Sequence, residues 1–329
     1  MLSSFIFAVE AVTPIFLLMA LGYFLKRVGL APDGFPKAAN KLVFRVFLPA
    51  NLFLNVYGIP SLSDIDLSYV WYSLGVVVTL FLLGIPTVMA ITSHADRRGP
   101  CLQAIFRSNF ALVGLPLAGA LFGKEGETVA TLLSAVAIPA FNVLAVIALS
   151  LFSESGEKPS MKKIALGILK NPLILSIAAG VVALTVRALF REWGVTWRLS
   201  DLTVIYTPVR YLSGVATPLA LLVMGMQFEF SAVKALRREI ITATLGRVCA
   251  APLLGVGLAY LCFRNVFSGA HFAAFVALFA TPVAVSSVPM TQEMGGDTSL
   301  AGQIVVFTTI FSAVSIFIAS FFLRLAGIF

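Results

Sequence analysis

The sequence contains ten apolar stretches, each about 20 residues long, which is the length at which an α-helix crosses a bilayer. Inside a membrane every backbone N–H and C=O group needs a hydrogen-bond partner within the protein, so such stretches predict helices. We number them as predicted spans 1 to 10. They cover residues 5–25, 38–57, 69–92, 101–122, 127–152, 164–190, 204–227, 238–263, 270–292 and 298–324. The expected fold class is an all-α integral membrane protein with ten transmembrane helices.

The bulk composition agrees with a membrane location. Hydrophobic residues make up 59% of the chain and charged residues 12%, with a mean hydropathy of +0.99, which leaves too little polar surface to cover a soluble domain. The net charge of +8 comes from small basic groups between apolar stretches, and they form no continuous patch for nucleic acid. We expect the lipid bilayer as a partner and no nucleic acid.

The three cysteines, Cys101, Cys249 and Cys262, lie in apolar runs and lack the spacing of disulfides or metal sites. We therefore expect no metal and no cofactor. The first apolar stretch has no basic region before it and no small-residue cleavage site, so we interpret it as a retained helix rather than a signal peptide.

Lysine and arginine are distributed unequally between two alternating sets of loops. One set carries thirteen basic residues: Lys26, Arg27, Lys37, Lys41, Arg97, Arg98, Lys158, Lys162, Lys163, Lys170, Lys234, Arg237 and Arg238. The opposite set carries seven: Lys124, Arg187, Arg191, Arg198, Arg210, Arg264 and Arg324. Cytoplasmic loops are enriched in Lys and Arg, so the first set predicts the cytoplasmic side and non-cytoplasmic termini.

Two interruptions rich in proline and glycine occupy equivalent places in the two halves of the chain. The segments 109–123 and 282–296 align at an offset of 173, which places Pro116 on Pro289. A proline inside a helix removes a hydrogen bond and clashes with the preceding turn, at a cost of about 3 kcal/mol. Broken backbone at membrane depth is tolerated where it lines a cavity, and paired interruptions are the best sequence pointer to a carrier's substrate site.

We expect predicted spans 4 and 9 to be broken near Gly114–Pro116 and near Ser286–Pro289, and to cross at those places. The basis is the common offset of the two interruptions. This expectation locates the candidate substrate site at the crossing.

Further matches between the two halves indicate an internal repeat. Residues 14–22 align with residues 172–180 at an offset of 158, and Pro49 aligns with Pro218 at 169. Insertions in loops would produce this drift in the offset. Five spans in each half would give the halves opposite orientations, because an odd number of spans inverts the second copy.

The predicted domain organisation follows from this repeat. Residues 1–152 form the first repeat with spans 1 to 5, and residues 164–329 form the second with spans 6 to 10. A polar cytoplasmic linker, residues 153–163, joins them.

Four segments of the sequence resemble the auxin efflux carrier family, and the resemblance extends over essentially the whole chain. These segments are residues 41–53, 107–117, 170–172 and 282–297. Bacterial members of that family include malonate and malate transporters, and the family's fold is similar to that of bile acid/sodium symporters. The short linker at residues 153–163 differs from the long central loop of the plant auxin carriers. Regulation through that loop, and auxin as the substrate, are therefore not expected.

The resemblance implies a bacterial cytoplasmic (inner) membrane protein with two structural parts. Predicted spans 1, 2, 6 and 7 would form a scaffold, and spans 3–5 and 8–10 a transport domain. Spans 4 and 9 would cross at their broken centres within the transport domain.

The polar and helix-breaking residues near the interruptions are the candidate substrate-binding residues. They are Asn51, Asn109, Gly114, Pro116, Pro282, Ser286, Ser287 and Pro289. Each polar member has an alternative role: Asn109 could pair with carbonyls released by Pro116, the two serines could bond back to their own helix, and Asn51 could join two helices. We assign Asn142 to packing.

Charged residues in the spans are costly and mark function by default. Arg45, Arg107 and Arg247 all lie close enough to a cytoplasmic span end to extend toward water. For Arg107, two residues before Asn109, the other possibility is that it attracts anions near the cytoplasmic entrance. Glu10 and Glu293 are candidates for proton coupling, with an ordinary interfacial carboxylate as the alternative.

The sequence lacks the groups that the main enzyme classes of the membrane require. An intramembrane aspartyl protease needs a second aspartate opposite Asp297, and no other aspartate lies in a span. A serine protease needs a histidine beside a buried serine, and His94 and His271 both lie near span ends. There is no phosphate-binding loop for ATP-driven pumping. We do not expect an enzyme.

The sequence therefore predicts a secondary active or facilitative transporter of a small organic anion, a carboxylate, that works by alternating access in an elevator-like movement. One alternative is a sodium- or proton-coupled symporter for a dicarboxylate or a bile-acid-like anion. A second is an anion channel, although no ring of acidic or carbonyl motifs at pore spacing is visible. A homodimer, the direction of transport and the exact substrate stay open.

Overall fold

The computed structural model describes residues 2–59, 67–152 and 166–329, without the side chains of residues 2–12, 230 and 231. This part of the chain is helical and contains no strand. Six of its helical segments are long and apolar enough to cross a membrane. They are Leu67–Ile91, Ala95–Leu151, Pro172–Glu192, Thr203–Gln227, Arg237–Phe263 and Thr298–Leu325. The 57-residue segment Ala95–Leu151 includes predicted spans 4 and 5.

We number the helices in chain order. The first half contains α1 (Leu2–Arg27), α2 (Phe35–Leu42), α3 (Leu48–Tyr57), α4 (Leu67–Ile91), α5 (Ala95–Phe106) and α6 (Leu115–Leu151). The second half contains α7 (Pro172–Glu192), α8 (Thr203–Gln227), α9 (Phe230–Ala235), α10 (Arg237–Leu245), α11 (Leu258–Phe263), α12 (Gly269–Phe279), α13 (Ser287–Glu293) and α14 (Thr298–Leu325). The predicted linker, residues 153–163, lies outside the described residues.

Wider π-helical turns connect or follow several of these helices. They are Val43–Phe47, Phe110–Gly114, Gly246–Ala250 and Leu253–Gly257. Such turns are frequent at functional sites, and Phe110–Gly114 directly precedes α6.

Two helix starts show how local sequence sets the element boundaries. The side chain of Asn171 accepts a hydrogen bond from the N–H of Leu173 at 2.9 Å, and Pro172 occupies the first helical position of α7. Asp297 caps α14 in the same way, accepting from the N–H of Leu300 at 2.9 Å. Both caps pair an N–H group that a helix start leaves without a partner. The described helix α7 thus begins at residue 172, later than the predicted start at 164.

Glycines allow close contact between two pairs of helices. A Cβ atom on Gly22 of α1 would clash with the carbonyl oxygen of Leu222 in α8, and a Cβ atom on Gly180 of α7 would lie 3.1 Å from the carbonyl oxygen of Phe53 in α3. The two glycines are separated by 158 positions and the two carbonyls by 169, which are the offsets of the sequence matches. Residues at aligned sequence positions therefore make similar contacts in the helix pairs α1–α8 and α7–α3.

The two interruptions are placed differently from the sequence prediction. After α5 the residues Arg107–Asn109 are non-helical, and after α12 the irregular backbone covers residues 280–286. Pro116 lies in the first turn of α6, and Pro289 lies in the first turn of α13. A proline in a first helical turn has no N–H to leave unpaired and its fixed φ suits a helix. The breaks therefore come before the prolines, and the prediction of breaks at Gly114–Pro116 and Ser286–Pro289 was several residues late.

A sharp corner lies within α6. Gly123 has φ 60° and ψ −155°, a conformation that is essentially confined to glycine. The corner separates Leu115–Leu121 from the long remainder of the helix, at the junction that the sequence places between predicted spans 4 and 5.

Candidate functional site

The two interruptions contact each other directly. The N–H of Asn109 donates to the carbonyl oxygen of Pro282 at 2.7 Å. The hydroxyl oxygens of Ser108 and Thr281 are 3.1 Å apart. In both pairs the partners are separated by 173 positions, the offset of the aligned interruptions. Two of the three residues of the first break, Ser108 and Asn109, therefore each contact the residue at the aligned position of the second.

Asn109 begins the helical structure that follows the first break. Its carbonyl oxygen accepts hydrogen bonds from the N–H groups of Val113 at 3.0 Å and Gly114 at 3.3 Å, which closes the π-helical turn before α6. The residue is only 8% exposed, and among the described residues its side-chain Nδ2 has no hydrogen-bond partner. A buried polar group left unpaired costs about 1–3 kcal/mol. The Asn109 amide is thus a donor that is available to a ligand.

Arg107 lies two residues before Asn109 and is buried, with 2% exposure. Its Nη1 donates to Oε1 of Gln103 at 2.8 Å and contacts Sδ of Met290 at 2.9 Å. Its Nη2 donates to Oδ1 of Asn142 at 2.9 Å and to Oγ of Ser286 at 2.7 Å. All four partners are neutral. Within the described part of the chain no carboxylate lies within ion-pair distance of the guanidinium.

Arg247 is a second buried arginine with a different environment. It is 0% exposed, and its side chain donates to the backbone carbonyls of Phe106, Leu278 and Thr281. The prediction that Arg247 extends toward water was wrong, because unpaired carbonyls at the ends of α5 and α12 bind it inside the protein. Arg45 does reach a surface, with its side chain 61% exposed.

A family model described as membrane transport protein matches residues 7–320. The chain belongs to the membrane transport protein family. It is also similar to an uncharacterized transporter of Methanothermobacter thermautotrophicus, with 26% identity over 324 residues that cover 95% of this chain and 97% of the relative. This membrane transport protein is therefore a transporter and not an enzyme, as the sequence predicts, and it resides in a lipid bilayer as a multi-pass protein.

The family assignment supports the resemblance to auxin efflux carriers at the level of the family. Three of the predicted site residues of this membrane transport protein lie in or next to the second interruption. The carbonyl of Pro282 accepts from Asn109, and Ser286 accepts from Arg107. Ser287 is buried, and its N–H donates to the carbonyl of Ala284. Their contacts with substrate stay a prediction.

Gly114 has a packing reason for its lack of a side chain. A Cβ atom at this position would lie 2.8 Å from the carbonyl oxygen of Ala277 in α12. The π-helical turn therefore approaches the backbone of α12 closely, which brings the two broken helices together.

Asn51 lies away from the contact of the two breaks. Its Nδ2 donates to Oγ of Ser213 in α8 at 3.1 Å, and its Oδ1 accepts from Asn55 at 3.1 Å. These bonds match the helix–helix alternative. A contact with substrate stays a prediction for this residue.

The structure describes the side chain of only one of the two acidic candidates, Glu293. The carboxylate of Glu293 is 3.4 Å from Nε of Arg45, so its charge is paired in this transporter. Glu10 belongs to α1, but its side chain lies outside the described residues.

Sequence reasoning missed three contributors to the arginine site. Gln103 lies one helical turn before Arg107, a spacing of four residues that could have been recognised as a polar pair inside an apolar stretch. Thr291 accepts a hydrogen bond from Gln103 at 3.4 Å. Asn142 was assigned to packing, yet its Oδ1 binds Arg107 while its Nδ2 donates to the carbonyl of Ile138. The approach of Asn142 to Arg107 depends on the corner in α6 at Gly123. The hydrophobic periodicity of the sequence does not reveal this corner.

Proposed function

We propose that this protein is a secondary carrier of a small organic anion, a carboxylate, which binds where the two broken helices meet. The observation that carries the proposal is the buried Arg107 guanidinium, which has only neutral partners, two residues before the unpaired Asn109 amide. The site holds a positive charge and a spare donor a few residues apart.

A buried charge without a counter-ion is costly, so an unpaired guanidinium at membrane depth favours an anionic ligand. The hydrogen bonds that Arg107 donates to neutral groups hold it in place but leave its charge uncompensated. A carboxylate matches the planar guanidinium in geometry, and on binding it would replace bonds that the two Nη atoms now make to these neutral partners. The Asn109 amide adds a further donor. The arrangement therefore suits a carboxylate better than a neutral or cationic solute.

The proposed architecture has ten transmembrane helices in a five-plus-five inverted repeat. Two observations support it: residues separated by 173 positions pair at the breaks, and the glycine contacts of Gly22 and Gly180 involve equivalent partners. In this arrangement α1–α3, α7 and α8 form the scaffold, and α4–α6 and α10–α14 form the transport domain.

The mechanism we propose is alternating access by an elevator-like movement of the transport domain against the scaffold. Arg107 and Asn109 are both buried, so neither side chain is exposed to bulk water in this structure. Burial of both side chains agrees with a carrier that opens to one side at a time, whereas a channel needs a continuous path. The location proposed is a bacterial inner membrane, with both termini outside the cytoplasm.

The decisive experiment is uptake by proteoliposomes of labelled acetate, lactate, malonate and malate. For a carrier, uptake saturates and shows counterflow, because each turnover needs a domain movement on the microsecond timescale or slower. Currents that rise without saturation would instead support a channel. A protein that transports none of the four anions but accepts cations or neutral solutes would refute the proposal.

Arg107→Gln tests the site itself. We expect the variant to lose about 2–5 kcal/mol of anion binding, which is the usual cost of truncating one partner of a buried charge pair. Arg238→Gln is the matched control, because that arginine is exposed and donates to the carbonyl of Ala90 at the surface. If Arg107→Gln retains parental affinity, the anion binds elsewhere.

A further inference from the structure

Arg247 lies between the C-terminal ends of two half-helices. α5 ends at Phe106, and α12 ends at Phe279. The Arg247 side chain donates from Nη1 to the carbonyl of Phe106 at 3.3 Å, from Nη2 to that of Leu278 at 2.7 Å, and from Nε to that of Thr281 at 2.8 Å. One side chain therefore pairs carbonyls from both halves of the crossing.

The charges at this place balance without a carboxylate. The C-terminal end of a helix carries a partial charge of about −0.5, so two such ends offset roughly one positive charge. Arg247 supplies that charge, and among the described residues no acidic side chain lies within ion-pair distance of it. Arg107 belongs to the first break, but its guanidinium donates to side chains and not to the carbonyls of a helix end. The two buried arginines therefore differ in whether their charge is compensated.

In carriers with broken helices, unwound carbonyls and half-helix C-terminal ends are the groups that coordinate a coupling Na⁺ or H⁺. Here the corresponding carbonyls already accept hydrogen bonds from the guanidinium of Arg247. Arg247 lies in the π-helical turn Gly246–Ala250, which directly follows α10. We infer that Arg247 occupies the place of a coupling cation, so that this carrier does not use sodium at the crossing. The inference rests on the proposed transport function.

Arg247 is by this account a positioning residue. It binds Phe106, the residue directly before Arg107, and Thr281, whose hydroxyl contacts Ser108. The two breaks are thus held at the same distance by a permanent cation rather than by one that arrives with the substrate. A permanent cation removes the thermodynamic link between ion and substrate, which in coupled systems changes affinity by about 5- to 150-fold.

The test compares thermal unfolding of the purified full-length protein in sodium, potassium and choline chloride at equal ionic strength. A cation that binds only the folded state raises the melting temperature. For the parent protein we expect equal melting temperatures in the three salts. A rise specific to sodium in the parent would overturn the inference.

Arg247→Met removes the tethered cation and leaves three carbonyls unpaired. We expect this variant to melt below the parent in choline chloride and to recover part of the loss in sodium chloride. Arg238→Met is the control, since its guanidinium makes one exposed bond to the carbonyl of Ala90. A methionine variant with the parental melting temperature in every salt would refute the positioning role.

Arg247→Lys is a second test, to be used if the methionine variant does not fold. It keeps the charge, but a single ammonium cannot reproduce a fork that reaches carbonyls in three directions. We expect a melting temperature below that of the parent but equal in the three salts, because a cation is still tethered at the crossing. A rise specific to sodium in the lysine variant would contradict the inference. Because melting needs no substrate, these results are independent of the anion uptake that tests the proposed function.

Discussion

At the scale of single residues, burial alone does not distinguish a binding side chain from a structural one. Arg107 and Arg247 are both buried, and both lie near the crossing. Their partners differ: neutral side chains surround Arg107, whereas backbone carbonyls of two helix ends surround Arg247. The identity of the partner atoms, rather than the depth of the residue, assigns one arginine to substrate and the other to the fold.

Asn109→Ala tests the unpaired amide. We expect substrate binding to weaken by about 1–3 kcal/mol, because a desolvated carboxylate oxygen would lose its donor. Membrane insertion should be unaffected, since one amide contributes little to an apolar span of about 20 residues. Isothermal titration with the best anion of the uptake panel measures the change.

The control for that measurement is Asn55→Ala, which removes an exposed amide from α3. Asn142→Ala is expected to weaken binding as well, because the side-chain Oδ1 of Asn142 accepts a hydrogen bond from Nη2 of Arg107. This differs from the packing role predicted for Asn142 from the sequence. If Asn109→Ala binds as tightly as the parent, the amide is structural and the ligand is held by other groups.

The sequence permits a partial prediction of these residues. Asn109, Pro282 and Ser286 were found because they lie in aligned interruptions. The role of Arg247 was not predictable, because its carbonyl partners come from α5 and α12, and the sequence does not show which carbonyls a break leaves unpaired. Asn142 was missed for a similar reason, since the corner at Gly123 determines which face of α6 reaches the site.

At the scale of helices, proline and glycine determine where elements begin and how closely they pack. Pro116 and Pro289 lie in first turns, so each proline marks the start of a half-helix and the break precedes it. The sequence located both interruptions within about two helical turns. It could not distinguish a proline that ends one helix from a proline that begins the next.

Gly22→Val and Gly180→Val test the two equivalent helix contacts. A valine at either position would overlap the backbone or side chains of the neighbouring helix, and overpacking costs about 1–3 kcal/mol. We expect both variants to melt at lower temperature than the parent. Thermal unfolding followed by the fluorescence of a thiol-reactive dye is the measurement.

Gly75→Val is the matched control, because it also lies within a helix, α4, and a Cβ atom there has no neighbour within 4 Å. If all three valine variants melt at the same temperature, the close contacts at Gly22 and Gly180 do not contribute to stability. A loss in only one of the two would count against equivalent roles in the proposed repeat.

At the scale of the whole molecule, a polar contact joins the proposed scaffold to the proposed transport domain. Nδ2 of Asn40 donates to Oε1 of Gln227 at 3.1 Å and to Oε1 of Gln292 at 2.8 Å. Close by, Arg45 of the scaffold pairs with Glu293 of α13. Polar contacts of this kind can separate and become hydrated at modest cost, unlike an apolar interface.

Glu293→Gln tests whether this contact governs domain movement. We expect little change in melting temperature, because the partner arginine is 61% exposed and such pairs contribute little to stability. We expect a change in the maximal rate of transport. The substitution removes an ion pair that stabilises the closed state, whereas an open state would not contain this pair and would be unaffected. Initial rates of uptake at saturating substrate measure the effect.

Glu239→Gln provides the contrast, since Glu239 is buried and pairs with Arg97 within the proposed transport domain. That variant should lose stability. If Glu293 instead carries a coupling proton, its glutamine variant will lose the pH dependence of uptake. A Glu293→Gln variant with parental rates at all pH values would remove the residue from the mechanism.

The family was readable from sequence because apolar lengths and paired interruptions are properties of the linear pattern. The substrate could not be predicted from the sequence. Substrate choice depends on how far the charge of Arg107 is compensated and on the space around the Arg107 side chain. Both are properties of contacts between side chains that are distant in sequence, such as Gln103 with Thr291.

The uncompensated charge of Arg107 has a consequence for how membrane voltage acts on the cycle. Moving one elementary charge across the membrane is worth about 2.3 kcal/mol per 100 mV. In the proposed mechanism the empty site carries Arg107 alone and is cationic, whereas a bound monocarboxylate makes it neutral. Voltage would then act on the return of the empty site and not on the delivery of the anion. A dicarboxylate would give the loaded site a net negative charge, so movement of the loaded site would produce a transient current with a dicarboxylate and none with a monocarboxylate.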